Sequence, residues 1–482
     1  MNVLIVVADT ARMDDAYSRD PLVMPTLLEL GEEGHRFEQA FASAPWTLPS
    51  HAGLFTGVYS SRHGAHGGHP YLDDDHLTLA EAFEQSGFET LAASNNTWIS
   101  GEFGFDRGFS TFWRGWQYVQ SADDVGSFLH ELGPAQRAKA ALKSLVDGNP
   151  IVNVLNALYT HRHRSRGDYG GQRTTDRLIS WLETRNRDAP FFAFVNYLEP
   201  HIVYAPPAEY ATPFLPSGSS YREARALRQE PRAYDVGEYE LTDHELAMLR
   251  GLYRGELAYV DAQLARIRET LQATGQWEET LVVVLGDHGE NIGDHGFLGH
   301  QYNIYDTLIH VPLVVAGGPF HGGKRVDDLV QLIDIAPTVL DATGTEAPEF
   351  REQIQGKSFH PDHTSTREYV VSEYMAPQPP VETLAERYGP LPGFVNNFDR
   401  GLRTMRTMDE KLIIGTDGHI EFYDIRADPA EANECSAKAE ERVRQLQDVL
   451  ENWLAGFDEP QKQGAVNISD ETQDRLAQLG YM

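Results

Sequence analysis

Cysteine is almost missing from this chain of 482 residues; Cys435 stands alone. That excludes an intramolecular disulfide framework and a cysteine-built zinc site. Lysine is also scarce, and most of the 40 basic residues are arginine. Acidic residues outnumber basic ones by 72 to 40, a formal charge of −32. The acid is spread along the chain and not gathered in one block. Such a surface repels itself at low salt, stays soluble at high salt, and argues against nucleic-acid binding. It reads as the surface of a halophile's protein. No apolar run is long enough to span a membrane. No basic and apolar leader precedes the run VLIVV that starts at Val3, so the expectation is a soluble, cytoplasmic protein. No internal repeat is visible.

With 41% hydrophobic residues the chain can bury a real core. Its length suits two or three domains, or one large α/β domain with a smaller one. Continuous apolar runs start at Val3, Phe88, Phe191, Thr280 and Val311. Such runs read as strands buried on both faces of a parallel sheet. Helical patterns lie between them. The clearest, Thr242 to Ile267, opens on a Thr242/Glu245 capping box. Alternating strands and helices predict an α/β sheet, mostly parallel. After Gly344 the pattern changes to a small α+β appendage. Its expected parts are a strand over Arg367–Tyr374, a proline-rich loop over Pro377–Gly393, a hairpin over Lys411–Ile425 and a helix over Ala437–Leu454.

Ligands of parallel sheets bind beyond the carboxyl ends of the strands. Polar residues stand at four such ends here: Asp9 and Thr10, Asn95 and Asn96, Glu199 and His201, Asp287 and His288. In GDHGENIGDHGFLGH (Gly286 to His300), a strand delivers Asp287 and His288 together. Hard carboxylate oxygens from Asp9 and Asp287 with the His288 nitrogen suit one divalent cation such as Mn²⁺, Zn²⁺ or Ca²⁺. In APWTLPSHAGLFTG (Ala44 to Gly57), Thr47 precedes Pro49 where a helix starts. Thr47 there is a capping residue, a nucleophile, or both. A neighbouring cation and the helix N-terminus would favour its ionised oxygen. His51, His201 and His300 are candidates for substrate contact or acid/base work. Ser50 reads as a structural hydrogen-bonder. His161 to Arg166 reads as a solvated loop, with a cradle for an anionic substrate as the alternative.

These segments resemble the sulfatase family of the alkaline phosphatase superfamily, in order and over most of the chain. NVLIVVADTARMDD is similar to the opening metal-binding strand, TLPSHAGLFTG to the signature motif, and LVVVLGDHGENIGDHG to the second metal strand. NYLEPHIVY, HVPLVVAGG, VQLIDIAPTVLDATG and EFYDIRADPAEANE follow the family's later pattern. The resemblance implies a large mixed sheet sandwiched by helices over 1–375. A small C-terminal domain with a four-stranded antiparallel sheet would occupy 376–482. It also implies metal ligation by Asp9, Thr47, Asp287 and His288, with Thr47 in the nucleophile position. His201 and His300 align with substrate-contacting positions.

The chain also departs from that pattern. The family oxidises a motif Cys or Ser to formylglycine, an aldehyde. Threonine carries a methyl on Cβ, and the same oxidation would give a ketone. His51 stands in place of the motif arginine, and SNNTWIS (Ser94 to Ser100) in place of a Gly-Lys-Trp-His stretch. Asn95 or Asn96 is left to donate hydrogen bonds to substrate there. Thr47 resembles instead the threonine nucleophiles of related phosphodiesterases and of phosphoglycerol and phosphoethanolamine transferases. The expected function is metal-dependent hydrolysis of a sulfate or phosphate ester, the substrate being a small anionic ester such as a sulfated or phosphorylated glycan or lipid head group. The alternatives are a phosphoryl-group transferase and a catalytically silent binder of anionic glycans.

Overall fold

A computed structural model describes residues 1–117, 169–363 and 367–456, together with Thr472 and Leu476. The expected Arg/His cluster at 161–166 lies outside the described residues. The main sheet takes eight strands: β1 (Asn2–Ala8), β2 (His35–Phe37), β3 (Glu89–Ser94), β4 (Thr111–Arg114), β5 (Phe191–Tyr197), β6 (Thr280–Gly286), β7 (Leu313–Ala316) and β8 (Lys324–Val326). Their order is β8-β2-β7-β6-β1-β5-β3-β4. Only β7 runs against the rest, so the sheet is mixed but mostly parallel, as expected.

The central strands are buried on both faces, which is why they read as unbroken apolar runs. Successive residues of β1 alternate between two cores. Val3, Ile5 and Val7 join one cluster, Leu4, Val6 and Ala8 the other. Helices cover both faces: α1 (Pro25–Glu33), α2 (Thr47–Thr56), α3 (Gly171–Thr184), α4 (Asp243–Ala273) and α5 (Ile335–Thr343). Residues of α2 and α5 pack into the first core, those of α1, α3 and α4 into the second. The capping box of α4 forms as its sequence requires, and the helix continues six residues past the expected Ile267.

Strand register positions the polar ends. Ala8 pairs with Gly286 on one side and Tyr197 on the other. The next residues along β1 and β6, Asp9 and Asp287, therefore emerge side by side. Ser94 pairs with Asn196, which brings Asn95 and Asn96 to the same rim.

The C-terminal sheet is antiparallel in the order β9 (Val370–Tyr374), β10 (Leu402–Arg406), β11 (Glu410–Gly415), β12 (Ile420–Asp424). Its first strand comes from before residue 376. The stretch expected to be a proline-rich loop holds a helix, α6 (Val381–Tyr388), which corrects that reading. Val381, Leu384 and Tyr388 share one face and pack with Val236, Tyr302 and Phe398. A last helix, α7 (Glu440–Leu454), buries Val443, Leu446 and Leu450 against the sheet.

Candidate active site

The turn after β1 is pinned from α4. Tyr253 donates its hydroxyl proton to the Thr10 carbonyl at 2.7 Å and accepts from the Arg12 N–H at 2.8 Å. Thr10 takes a left-handed backbone, φ 61°, and its N–H donates to Asp287 Oδ1 at 3.0 Å. The His288 N–H donates to the same oxygen at 2.9 Å. Asp287 Oδ1 is thereby held, and Oδ2 is turned towards the centre of the site.

Thr47 is the first residue inside α2, and the capping position falls to Trp46. No side-chain capping bond is made there, so the expected capping role for Thr47 does not occur. Its Oγ1 lies 3.3 Å from His288 Nε2 and 3.4 Å from Asn96 Nδ2. Ser50, one turn on, donates to the Asp287 carbonyl at 2.6 Å, tying α2 to the end of β6. That is the structural role expected of it.

His288 Nε2 sits 3.5 Å from Asp287 Oδ2 and 3.9 Å from Asp9 Oδ1. Neither carboxylate oxygen has a hydrogen-bond partner among the described residues. Ligand atoms of Asp9, Asp287 and His288 all lie within 4.8 Å of one another. Two buried, unsatisfied carboxylate oxygens facing a bare imidazole nitrogen are a costly arrangement alone and a fitting one around a cation. The donor set is hard oxygen with one imidazole, and it accommodates a divalent ion.

Each site histidine has Nδ1 engaged by an acceptor, which leaves the lone pair on Nε2. His288 Nδ1 donates to the Gly289 carbonyl at 2.9 Å. His201 Nδ1 donates to the Ile202 carbonyl at 2.5 Å, and His300 Nδ1 to Glu290 Oε1 at 2.8 Å. The His300 ring centre is 4.6 Å from that of His288 and 5.0 Å from that of His201. The three rings form one cluster. Burial holds His288 well below its ordinary pKa and brings His201 and His300 down to about 3, so all three are neutral near pH 7. The same burial raises the carboxyls. Asp287 is pushed up to about 6, and Asp9 is raised by burial and by the charge of Asp287.

Of three further expected residues, one lies in the site and two do not take the places expected. Asn96 is in the site. Its Oδ1 accepts from the Trp98 N–H at 3.0 Å, which orients Nδ2 towards Asp9 Oδ2 at 2.5 Å. Asn95 instead turns to Thr174 of α3, whose hydroxyl donates to its Oδ1 at 2.6 Å. His51 packs edge-on against Phe194 behind Thr47, and its Nδ1 donates to the Thr47 carbonyl at 2.9 Å. It touches Thr47 through the backbone, and Asp287 Oδ2 lies 3.4 Å from it. Glu290, which sequence reading passed over, is buried at the heart of the histidine cluster. Its signal was in plain view, as the fourth letter of DHGE.

A family model described as Sulfatase matches residues 1–345. Arylsulfatase K of Bos taurus is 23% identical over 479 residues, spanning 94% of this chain and 81% of its own. The multifunctional alkaline phosphatase superfamily protein PehA of Trinickia caryophylli is 25% identical over 403 residues, 72% of this chain and 74% of its own. Among solved structures, the phosphonate monoester hydrolase of Agrobacterium radiobacter superposes with a TM-score of 0.66 at 22% identity, covering 94% of this chain and 95% of that one.

Proposed function

This chain belongs to the sulfatase family, and from that membership we propose that it hydrolyses a phosphate or sulfate ester by attack of the unmodified Thr47 hydroxyl. One observation carries the reading. Thr47 Oγ1 stands at the start of a helix, 3.3 Å from the Nε2 of His288, the nitrogen that faces the two buried carboxylates. Asp9, Thr47, Asp287 and His288 are the residues that would hold a divalent cation, Mn²⁺, Zn²⁺ or Ca²⁺. Such an ion supplies positive charge that favours the ionised hydroxyl and offsets charge on the ester's oxygens.

The chain's own groups account for the remaining steps. Thr47 Oγ1 gives up its proton to the Nε2 of a neutral imidazole, His201 or His300, as it bonds to the phosphorus or sulfur; the bond to the alcohol oxygen breaks, and that proton passes to the departing alcohol. Asn96 Nδ2 points at the space beside Thr47 and donates to charge developing there. The N-terminus of α2 adds its partial positive charge. His201 and His300 border the site as the groups that carry protons to the leaving alcohol and from the water that then releases the product. His51 holds the first turn of α2 through the Thr47 carbonyl.

The threonine favours phosphoryl over sulfuryl transfer. An aldehyde hydrate carries a second hydroxyl on the same carbon and can expel a bound sulfate by re-forming the carbonyl. Thr47 has a methyl there, and its ester is released only by a second attack at the phosphorus or sulfur. The purified protein with Mn²⁺ or Zn²⁺ at high salt is therefore expected to cleave an aryl phosphodiester faster than the matching aryl sulfate. Parallel release assays on the two substrates decide it, and faster sulfate cleavage overturns the phosphoryl assignment.

A further inference from the structure

Glu290 follows His288 by two residues, and no step described above uses it. One oxygen of its buried carboxylate accepts from His300 Nδ1 at 2.8 Å. The other accepts from the Ile202 N–H at 3.3 Å. The first bond fixes one imidazole. The second fixes the turn that carries the other, because the Ile202 carbonyl is the acceptor for His201 Nδ1 at 2.5 Å. The glutamate's own backbone is clamped. Its N–H donates to the Thr307 carbonyl at 3.1 Å, and Arg12 Nη1 donates to its carbonyl at 3.0 Å. A rigid carboxylate thus spans the two loops whose imidazole rings stand 5.0 Å apart.

A buried carboxylate with a purely structural task looks different in this same chain. Asp261 accepts from the Thr26 and Leu27 N–H groups at the start of α1, and no imidazole is among those partners.

We propose that Glu290 is a positioning residue, which holds His300 as the Nδ1–H tautomer and fixes the His201–Ile202 turn, so that both imidazoles keep Nε2 as the proton-accepting atom. Once ionised, a carboxylate only accepts, and at 2.8 Å it selects Nδ1–H. Without it, the two imidazole tautomers are close in energy and the ring is free to turn. The inference rests on the reading above only for what His300 does in the reaction, not for its tautomer.

Two readouts test it. In ion-free protein labelled with ¹⁵N-histidine, His300 is expected to show a protonated Nδ1 and a bare Nε2, a pattern lost in Glu290→Gln. In steady-state kinetics, Glu290→Gln and His300→Ala are each expected to lower kcat by about 10²-fold while KM moves by less than about threefold. The double variant is expected to be slower than His300→Ala by far less than about 10²-fold, because the glutamate acts mainly through that ring and only the His201 turn is left for it to affect. Penalties that multiply to about 10⁴-fold in the double variant overturn the inference, as does a bare Nδ1 in the wild-type spectrum. Should Glu290→Gln fail to fold, Glu290→Asp serves in its place. That variant keeps the charge one methylene short of His300, and an unchanged kcat in it contradicts the proposal. If Thr47→Ala keeps its turnover, the nucleophile reading fails while the spectrum and the cycle still decide the role of Glu290.

Discussion

Single residues carry most of the chemistry, and a few of them were readable without coordinates. Asp9, Asp287 and His288 stand at strand ends, where parallel sheets gather ligands, and their residue types name a cation. Asn95 and Asn96 are indistinguishable by type. The fold separates them, because Thr174 captures one and the Trp98 N–H aims the other at Asp9 and Thr47. Asn96→Ala is expected to lower kcat by about 10²-fold with little change in KM, as the loss of one aimed donor does elsewhere. The same substitution at Asn95 is expected to leave kcat within about threefold, since its side chain is occupied by α3. Steady-state kinetics on the two variants separate them. Glu290 escaped notice because its partner, His300, lies ten residues away across a loop whose path the sequence does not reveal.

Elements brought the residues together in ways that local pattern only partly announced. The strands and α4 were legible because burial on both faces, or a capping box, leaves a direct trace in the sequence. Helix α6 was hidden by the prolines that flank it on both sides, and its contacts with Tyr302 and Val236 give it a buried face. The joint between the two sheets left no pattern at all. Lys411 on β11 is fully buried and pairs with Asp306 at 2.8 Å and Glu431 at 2.6 Å. Asp306 opens the short helix just after the His300 loop and also meets Arg406 at 3.3 Å. Burial alone would raise the Asp306 carboxyl, but Lys411 and Arg406 outweigh it and hold it well below the usual range. A depressed carboxyl stabilises the fold above the usual carboxyl range and loses that contribution as pH falls through its folded value. Lys411→Met takes the buried cation from Glu431 and leaves Asp306 with Arg406 alone, and is expected to cost about 3–5 kcal/mol, read from urea unfolding. The variant is also expected to unfold at a higher pH during acid titration.

Across the whole molecule, the candidate cation site joins positions 9, 47 and 287–288, drawn from β1, α2 and β6. An ion bound there ties together segments far apart in the chain, and its binding energy adds to folding. Asp9 and Asp287 are raised, the latter to about 6, so in the ion-free fold these two carboxyls hold protons that they would lose in the unfolded chain between the usual carboxyl range and about pH 6. Their own contribution to stability therefore falls as pH rises through that window. A divalent ion replaces those protons, so the gain in melting temperature on adding Mn²⁺ is expected to be larger at about pH 7.5 than at about pH 5. Thermal unfolding with and without a chelator at both pH values measures it. A gain that is equal at both, or absent, contradicts carboxylate ligation. The α/β architecture was legible at this scale because parallel strands and covering helices alternate along the chain. The convergence of site residues followed from register, Ala8 opposite Gly286, which no single stretch of sequence contains.

Catalysis as proposed requires a bond between the Thr47 oxygen and the substrate's phosphorus. The most direct measurement is mass spectrometry of the peptide containing Thr47, taken from enzyme acid-quenched during turnover of an aryl phosphodiester with Mn²⁺. A phosphoryl-ester adduct on Thr47 that forms with the first release of aryl alcohol, and that is missing from Thr47→Ala, is the predicted result. Turnover that proceeds while Thr47 stays unmodified, or that persists in Thr47→Ala, would contradict it.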